Sequence, residues 1–210
     1  MMSSWPAIVE LAGHSGQFDY VEFLAEYAPF DLYALENLAR AIDLFEHMTG
    51  MMKVEQQPRL YEAARAIGAG IQNVLFADVR TVADAEECVR AVRAETPSGG
   101  GLHGAGMQRN VGFVLECGSA AYVQAMEEAV VALMIEKKEA VENLEAILSV
   151  RGVDMVQFGP ADYSMSIGLV GQTNHPAVRE AERHVIETAL RLGVAPRAEI
   201  VHPGEAERYL

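Results

Sequence analysis

Short apolar runs alternate along this chain with longer stretches in which apolar residues recur every three or four positions. The first pattern marks buried strands and the second marks helices with one buried face. FDYVEFL (Phe18–Leu24) reads as a strand. From Asp31 to Met48 the residues Leu32, Leu35, Leu38, Ala39, Ile42 and Phe45 form one stripe, which predicts a helix. Gly50–Glu55 is a short strand. Pro58–Ala69 is a helix with proline in its first turn and Gly70 beyond its end. Asn73–Val79 reads as a buried strand and Thr81–Ala94 as a helix. A glycine-rich loop, Thr96–Gly106, precedes a stretch without clear periodicity, 107–118. Ser119–Ala129 then reads as a helix, Val130–Glu136 as a strand and Lys138–Leu148 as a helix. Met155–Phe158 is a strand that runs into Gly-Pro. Asn174 is the expected N-cap of a long helix ending at Leu192. Ala195–Val201 is the last strand, and a further helix begins near Gly204.

Strands that alternate strictly with helices predict parallel pairing with right-handed crossovers. The expected fold class is therefore α/β, with residues 1–210 as a single (β/α)8 TIM-barrel-like domain and a doubly wound sheet as the alternative. A barrel of eight strands needs two more than the six found. The first would precede Met1 and the last would follow Leu210. Missing strands leave open sheet edges and apolar helix faces, which predicts either a homo-oligomer that covers them or a chain that is a fragment.

Chemistry concentrates in Val153–Gly168 (VDMVQFGPADYSMSIG). The apolar strand ends in Gly159 and Pro160, and Asp162 follows in what reads as a small polar loop. Ligands of parallel-sheet proteins bind at this C-terminal end of the strands. Glu136 closes the preceding strand, one βα unit earlier, so both carboxylates are expected on neighbouring strands at the same rim. Two carboxylates with no histidine nearby suit a hard divalent cation such as Mg²⁺ or Mn²⁺, which keeps waters and leaves positions for substrate oxygens. A 2-keto acid fits those positions. The plainer alternative makes Glu136 a favourable charge at a helix start and Asp162 a turn residue.

Charge narrows the choice of partner. The chain carries 16 basic and 30 acidic residues, a net charge of −14. That balance argues against nucleic acid or an anionic membrane as partner, though not against a small anionic substrate beside a bound cation. Half the residues are apolar, yet no apolar run approaches the ~20 residues of a membrane span. The N-terminus lacks the basic start and apolar centre of a signal peptide, so a cytoplasmic setting is expected. Cys88 and Cys117 form no metal-spaced motif and read as reduced thiols.

GPADYSMSIG with the following NHP, the strand VALMIE and the tail PRAEI resembles the class II, metal-dependent 2-keto acid aldolase family. This is the group of 2,4-dihydroxyhept-2-enedioate and 2-dehydro-3-deoxyglucarate aldolases, within the pyruvate- and phosphoenolpyruvate-utilising barrel superfamily. The resemblance implies that Glu136 and Asp162 bind the metal. It also implies that the backbone of Gly159, Pro160 and Ala161 faces the pyruvyl carboxylate. The chain departs from the family at the proton-transfer motif Asp-x-Glu-His, which here reads Leu24-Ala25-Glu26-Tyr27. Glu26 and Tyr27 are the candidate catalytic residues left there. Glu26 would act as base if burial raised its pKa, and a tyrosine, near ~10, is a poor base at neutral pH. Lys53 replaces the arginine that grips the keto-acid carboxylate, keeping charge but losing the bidentate fork. The family's Gly-Arg turn reads Gly101-Leu102-His103-Gly104, with His103 expected on a flexible surface loop. Ser164 and Ser166 are placed to hydrogen-bond substrate.

The expected activity is carbon–carbon cleavage of a 4-hydroxy-2-keto acid to pyruvate and an aldehyde. The alternatives are an acyl-CoA ester lyase of the same superfamily and a non-catalytic binding or assembly subunit.

Overall fold

A computed structural model describes residues 1–209, and the described chain forms two compact units. The first comprises Met1–Ala77 with Glu86–Val131. The second comprises Asp78–Ala85 with the chain from Ala132 onward.

The first unit opens with helix α1 (Pro6–Ser15), which has proline in its first turn and stops at Gly16 in the left-handed region. Sequence periodicity does not announce this helix, because only Val9 and Gly13 of its residues are buried. Strand β1 (Tyr20–Leu24) and helix α2 (Leu32–Ile42) follow, with the Asp31 carboxylate accepting the Ala34 N–H at 2.7 Å. The helix stops six residues before the expected Met48. Phe45, which continues the apolar stripe in sequence, leaves the helix and lies against Gly13 of α1, where a Cβ would sit 2.3 Å from its ring. Strand β2 (Thr49–Val54), helix α3 (Arg59–Ala69) and strand β3 (Asn73–Phe76) complete the alternation. The β1–β2 and β2–β3 pairs are parallel. Every residue of β3, and all of β2 after Thr49, is buried, as expected for a parallel sheet covered on both faces. Helix α4 (Val82–Arg90) straddles the boundary between the units. The stretch without periodicity contains a 3₁₀ turn at Arg109–Val111, and helix α5 (Ala120–Glu128) starts at its Ser119 cap.

The second unit takes β4 (Val131–Ile135) from Ala132 onward, then β5 (Met155–Phe158) and β6 (Ala195–Arg197) in chain order, again with parallel pairs. The expected helix over Lys138–Leu148 is two short ones, α6 (Lys138–Glu142) and α7 (Leu144–Leu148), broken at Asn143. Asp162 does not lie in a loop. Pro160 starts a short helix, α8 (Pro160–Ser166), with Gly159 as its cap residue, and Asp162 falls in its first turn. A proline suits that first position because the N–H it lacks would have no partner there. Helix α9 (Pro176–Leu192) is capped by His175 rather than Asn174. The His175 Nδ1 accepts the Ala177 N–H at 3.2 Å, and Asn174 instead accepts from Arg179. The strand expected to reach Val201 ends at Arg197, and a 3₁₀ helix at Pro203–Arg208 follows. The α/β class and the six strands match the sequence reading. No helix among the described residues is long and apolar enough to cross a membrane.

Candidate active site

In the second unit, Ile135 at the end of β4 is paired in register with Phe158 at the end of β5. The next residue on each strand is therefore Glu136 and Gly159, side by side at the C-terminal edge. Their contact is close enough that any side chain at 159 would force a neighbour to shift. A Cβ there would lie 2.7 Å from both Cβ and Oε2 of Glu136 and 3.1 Å from the Met134 methyl. Glu136 is buried, with 4% of its surface exposed. Its Oε1 accepts the backbone N–H of Asp78 at 2.8 Å. Asp78 presents that N–H from a left-handed backbone, φ 52°, a conformation that aspartate tolerates better than most residues. The Glu136 carboxylate is thus aimed by its neighbours rather than left to rotate.

The ring of charge around it is more elaborate than two acids. Arg80 grips the Asp78 carboxylate with both prongs of its guanidinium, Nε to Oδ1 and Nη2 to Oδ2, each at 2.9 Å. Its third nitrogen donates to Glu139 at 3.1 Å. The ammonium of Lys137, the residue after Glu136, lies 2.7 Å from Asp162 Oδ1 and 3.9 Å from Asp78 Oδ1. Asp162 is half-buried and already holds a cation, although that cation belongs to the protein. Asp78, Arg80 and Lys137 were not singled out from the sequence. The signal for them was present: all three lie within a few residues of a parallel strand's C-terminal end, where ligands bind.

Among the described residues, no group of three or more His, Cys, Asp or Glu side chains converges as a metal cage. Magnesium-type sites do not require one, since such ions are held by one or two carboxylates plus waters and substrate oxygens. A fixed, buried carboxylate at Glu136 and a cation-holding one at Asp162 fit that pattern.

The three backbone residues of the Gly-Pro-Ala turn are unequal. The Gly159 N–H donates to the Ile135 carbonyl at 3.0 Å, and Pro160 has no N–H. Of these three residues Ala161 alone offers an amide at the start of the helix for an anion, followed by that of Asp162. Ser164 and Ser166, expected to face substrate, are structural. Their hydroxyls donate back to the carbonyls of Ala161 and Tyr163, at 2.7 and 2.8 Å. Ser166 Oγ also accepts the Lys138 N–H at 3.1 Å, which ties the start of α6 to α8.

The first unit holds a separate cluster at the ends of β1 and β2. Lys53 is buried in β2, and its ammonium lies 2.5 Å from Glu26 Oε2 and donates to the Tyr27 hydroxyl at 2.8 Å. Burial alone would lower the Lys53 pKa, but the bonds to Glu26 and Tyr27 outweigh it and hold the group above its ordinary value. The Tyr27 hydroxyl is pushed up by burial, and the adjacent Glu26 adds to this against the opposing pull of Lys53. Tyr27 thus holds its proton more firmly than a free tyrosine, and less phenolate is present at neutral pH to act as a base.

His103 is not on a flexible loop. Its backbone bridges Ala94 and bonds Arg93 and Glu95, and its Nε2 lies 2.5 Å from the Ala91 carbonyl. A carbonyl only accepts, so Nε2 carries the proton. Burial lowers the His103 pKa, with the Ala91 bond opposing it.

The HpcH/HpaI aldolase/citrate lyase family matches residues 2–206. A hydroxypyruvate/pyruvate aldolase from Pseudomonas aeruginosa is 33% identical over 211 residues, covering 98% of this chain and 74% of that protein. A 4-hydroxy-2-oxo-heptane-1,7-dioate aldolase from Shigella boydii serotype 18 is 32% identical over 216 residues, covering 100% of this chain and 77% of that protein. Among solved structures, an HpcH/HpaI aldolase/citrate lyase family protein from Burkholderia cenocepacia superimposes with a TM-score of 0.90 at 28% identity. That match covers 100% of this chain and 81% of the other. The chain belongs to the HpcH/HpaI aldolase/citrate lyase family.

Proposed function

We propose that this chain is a divalent-metal aldolase that cleaves a 4-hydroxy-2-keto acid to pyruvate and an aldehyde. Glu136 and Asp162 hold Mg²⁺ or Mn²⁺. The single observation that carries the reading is the Gly159–Glu136 contact: a glycine kept free of a Cβ so that a buried carboxylate stands at the strand ends. The aldolase names of the two relatives at 32–33% identity favour this reaction over an acyl-CoA lyase or a non-catalytic subunit.

When bound, the ion supplies Lewis-acid stabilisation of charge developing on the keto oxygen. The protein's part is to position and to exclude. The Asp78 N–H and the Gly159 backbone hold Glu136 in one orientation, and the first turn of α8 presents Asp162 and the Ala161 amide. Cleavage breaks the C3–C4 bond of the substrate. The 4-hydroxyl gives up its proton as C4 becomes the aldehyde carbon, and the electron pair passes to the enolate. Protonation at C3 then gives pyruvate.

For the first unit we propose Lys53, in the place of the family's arginine, as the charge for a carboxylate, with Glu26 and Tyr27 as the proton-transfer candidates that the altered motif leaves. The raised Tyr27 pKa keeps its hydroxyl protonated and leaves Glu26 as the candidate to accept a proton. We read the fold as barrel-like, with six of eight strands in this chain, and residues 1–210 as one domain, since one family match spans both units. A cytoplasmic homo-oligomer is the proposed state, checked by light scattering.

Pyruvate release from 4-hydroxy-2-keto acids, followed through lactate dehydrogenase, tests the activity. Turnover that appears with Mn²⁺ and disappears with EDTA is expected. Metal-independent turnover, or none across a panel of acceptor aldehydes run in the condensation direction, contradicts it.

A further inference from the structure

The carboxylate that the metal needs from α8 is already engaged. Lys137 Nζ lies 2.7 Å from Asp162 Oδ1, and only about a fifth of the Lys137 side chain is exposed. Its backbone is fixed, because Lys137 is the residue that caps α6 and follows directly on the buried end of β4. The side chain is therefore the part that can move. A second acceptor lies within its reach, Asp78 Oδ1 at 3.9 Å. Asp78 is itself held in place by the two-pronged Arg80 contact, whatever Lys137 does.

An ammonium and a divalent ion on the same carboxylate repel each other, so each weakens the other's hold on Asp162. The geometry points to Lys137 as a displaceable counter-ion of the metal site: it pairs with Asp162 in the metal-free chain and gives way to the divalent ion by moving towards Asp78. This rests on the reading of Glu136 and Asp162 as metal ligands. It goes beyond that reading by assigning Lys137 a positioning role that works against the metal. Lys137 keeps Asp162 oriented before metal arrives, and the exchange weakens metal binding by the free energy of the ion pair it breaks. Arg80 is the fixed partner that makes Asp78 available as the second station.

The test is Mn²⁺ binding to the full chain, by calorimetry and by the electron paramagnetic resonance signal of free Mn²⁺. It compares the natural protein with Lys137→Met and Lys137→Arg. Lys137→Met is expected to bind Mn²⁺ about fivefold more tightly, the upper end of what a partly exposed ion pair contributes. Lys137→Arg, which keeps the charge, should stay near the natural value. In EDTA, Lys137→Met should melt at a lower temperature than the natural protein, and Mn²⁺ should raise its melting temperature by more. If Lys137→Met does not fold by circular dichroism, Lys137→Gln takes its place. Equal or weaker Mn²⁺ binding by the folded neutral variant overturns the exchange and leaves the metal site standing. No Mn²⁺ binding by any of the three proteins overturns the metal site itself, and the exchange with it.

Discussion

Replacing Gly159 by alanine adds one methyl group at the point where β5 meets Glu136. The backbone there is extended, φ −104° and ψ 91°, so alanine can adopt it without strain. If conformational freedom were the only reason for glycine, the substitution would stabilise the protein by about 0.4–1 kcal/mol through the unfolded chain. The contacts predict the opposite sign. The new Cβ would lie 2.7 Å from Glu136 Cβ and Oε2, and 3.1 Å from Met134 Cε. Met134 can yield, since its contacting atom is the end of a flexible chain. The Glu136 Cβ is fixed to the end of a fully buried strand and cannot. Restoring ordinary contact requires a shift of roughly 1 Å in Glu136 or in the backbone, and overpacking of that kind costs about 1–3 kcal/mol. Rotating Glu136 away would also break its 2.8 Å bond from the Asp78 N–H, at about 0.5–1.5 kcal/mol. Gly159→Ala is therefore expected to lose about 1–3 kcal/mol net, seen as a lower urea midpoint at constant slope in EDTA. Mn²⁺ affinity should fall about tenfold, as it does when the groups that orient a ligand are disturbed. An unchanged or higher midpoint together with unchanged Mn²⁺ affinity would refute the claim that residue 159 is glycine to make room for Glu136.

Lys53→Met removes the ammonium between Glu26 and Tyr27 and leaves a carboxylate, only about a fifth exposed, without its counter-ion. A loss of about 2–4 kcal/mol is expected in urea titrations, with part of it recovered in the double variant Glu26→Gln/Lys53→Met. Because the folded Lys53 pKa lies above the unfolded one, the folded chain binds the extra proton. The stability this group contributes is complete below about pH 10 and falls as pH rises further, so Lys53→Met should show a flatter alkaline limb. His103 carries the reverse sign. Its folded pKa is lowered, so the unfolded chain binds more protons, and stability is lost as pH falls through about 6.5. His103→Gln should flatten the acid limb of a melting-temperature profile between about pH 7 and 5, and an unchanged limb would remove His103 from the account.

The strands were legible because parallel strands buried on both faces are written as apolar runs. Met155–Phe158 agrees residue for residue, and β2 to within one residue at each end. Helix ends were less legible because side chains distant in sequence set them. Phe45 continues the stripe of α2 in sequence yet belongs to the contact with Gly13. Helix α1 escaped notice because so little of it is buried. At the site, Glu136 and Asp162 were visible as strand-end acids. Gly159 was expected to bring its backbone close to a ligand, but its packing against Glu136 depends on the β4–β5 register, which pairs Ile135 with Phe158. The partners that shape the acids lie outside the local motif. Asp78 reaches Glu136 from the end of β3, 58 residues away in sequence, and Lys137 reaches Asp162 across 25. Ser164 and Ser166 looked available for substrate because sequence does not show that Asp162 lies in a helix, where such hydroxyls turn back to the carbonyl three residues earlier.

The central claim is that Glu136 and Asp162 make this chain an enzyme of pyruvate enolate chemistry, and exchange of the pyruvate methyl protons for deuterium tests it without knowledge of the aldehyde. In D₂O with Mn²⁺, the natural protein should exchange those protons at a rate abolished by EDTA, and Asp162→Asn should reduce it to background while keeping its fold by circular dichroism. Exchange that continues unchanged in Asp162→Asn would contradict the account.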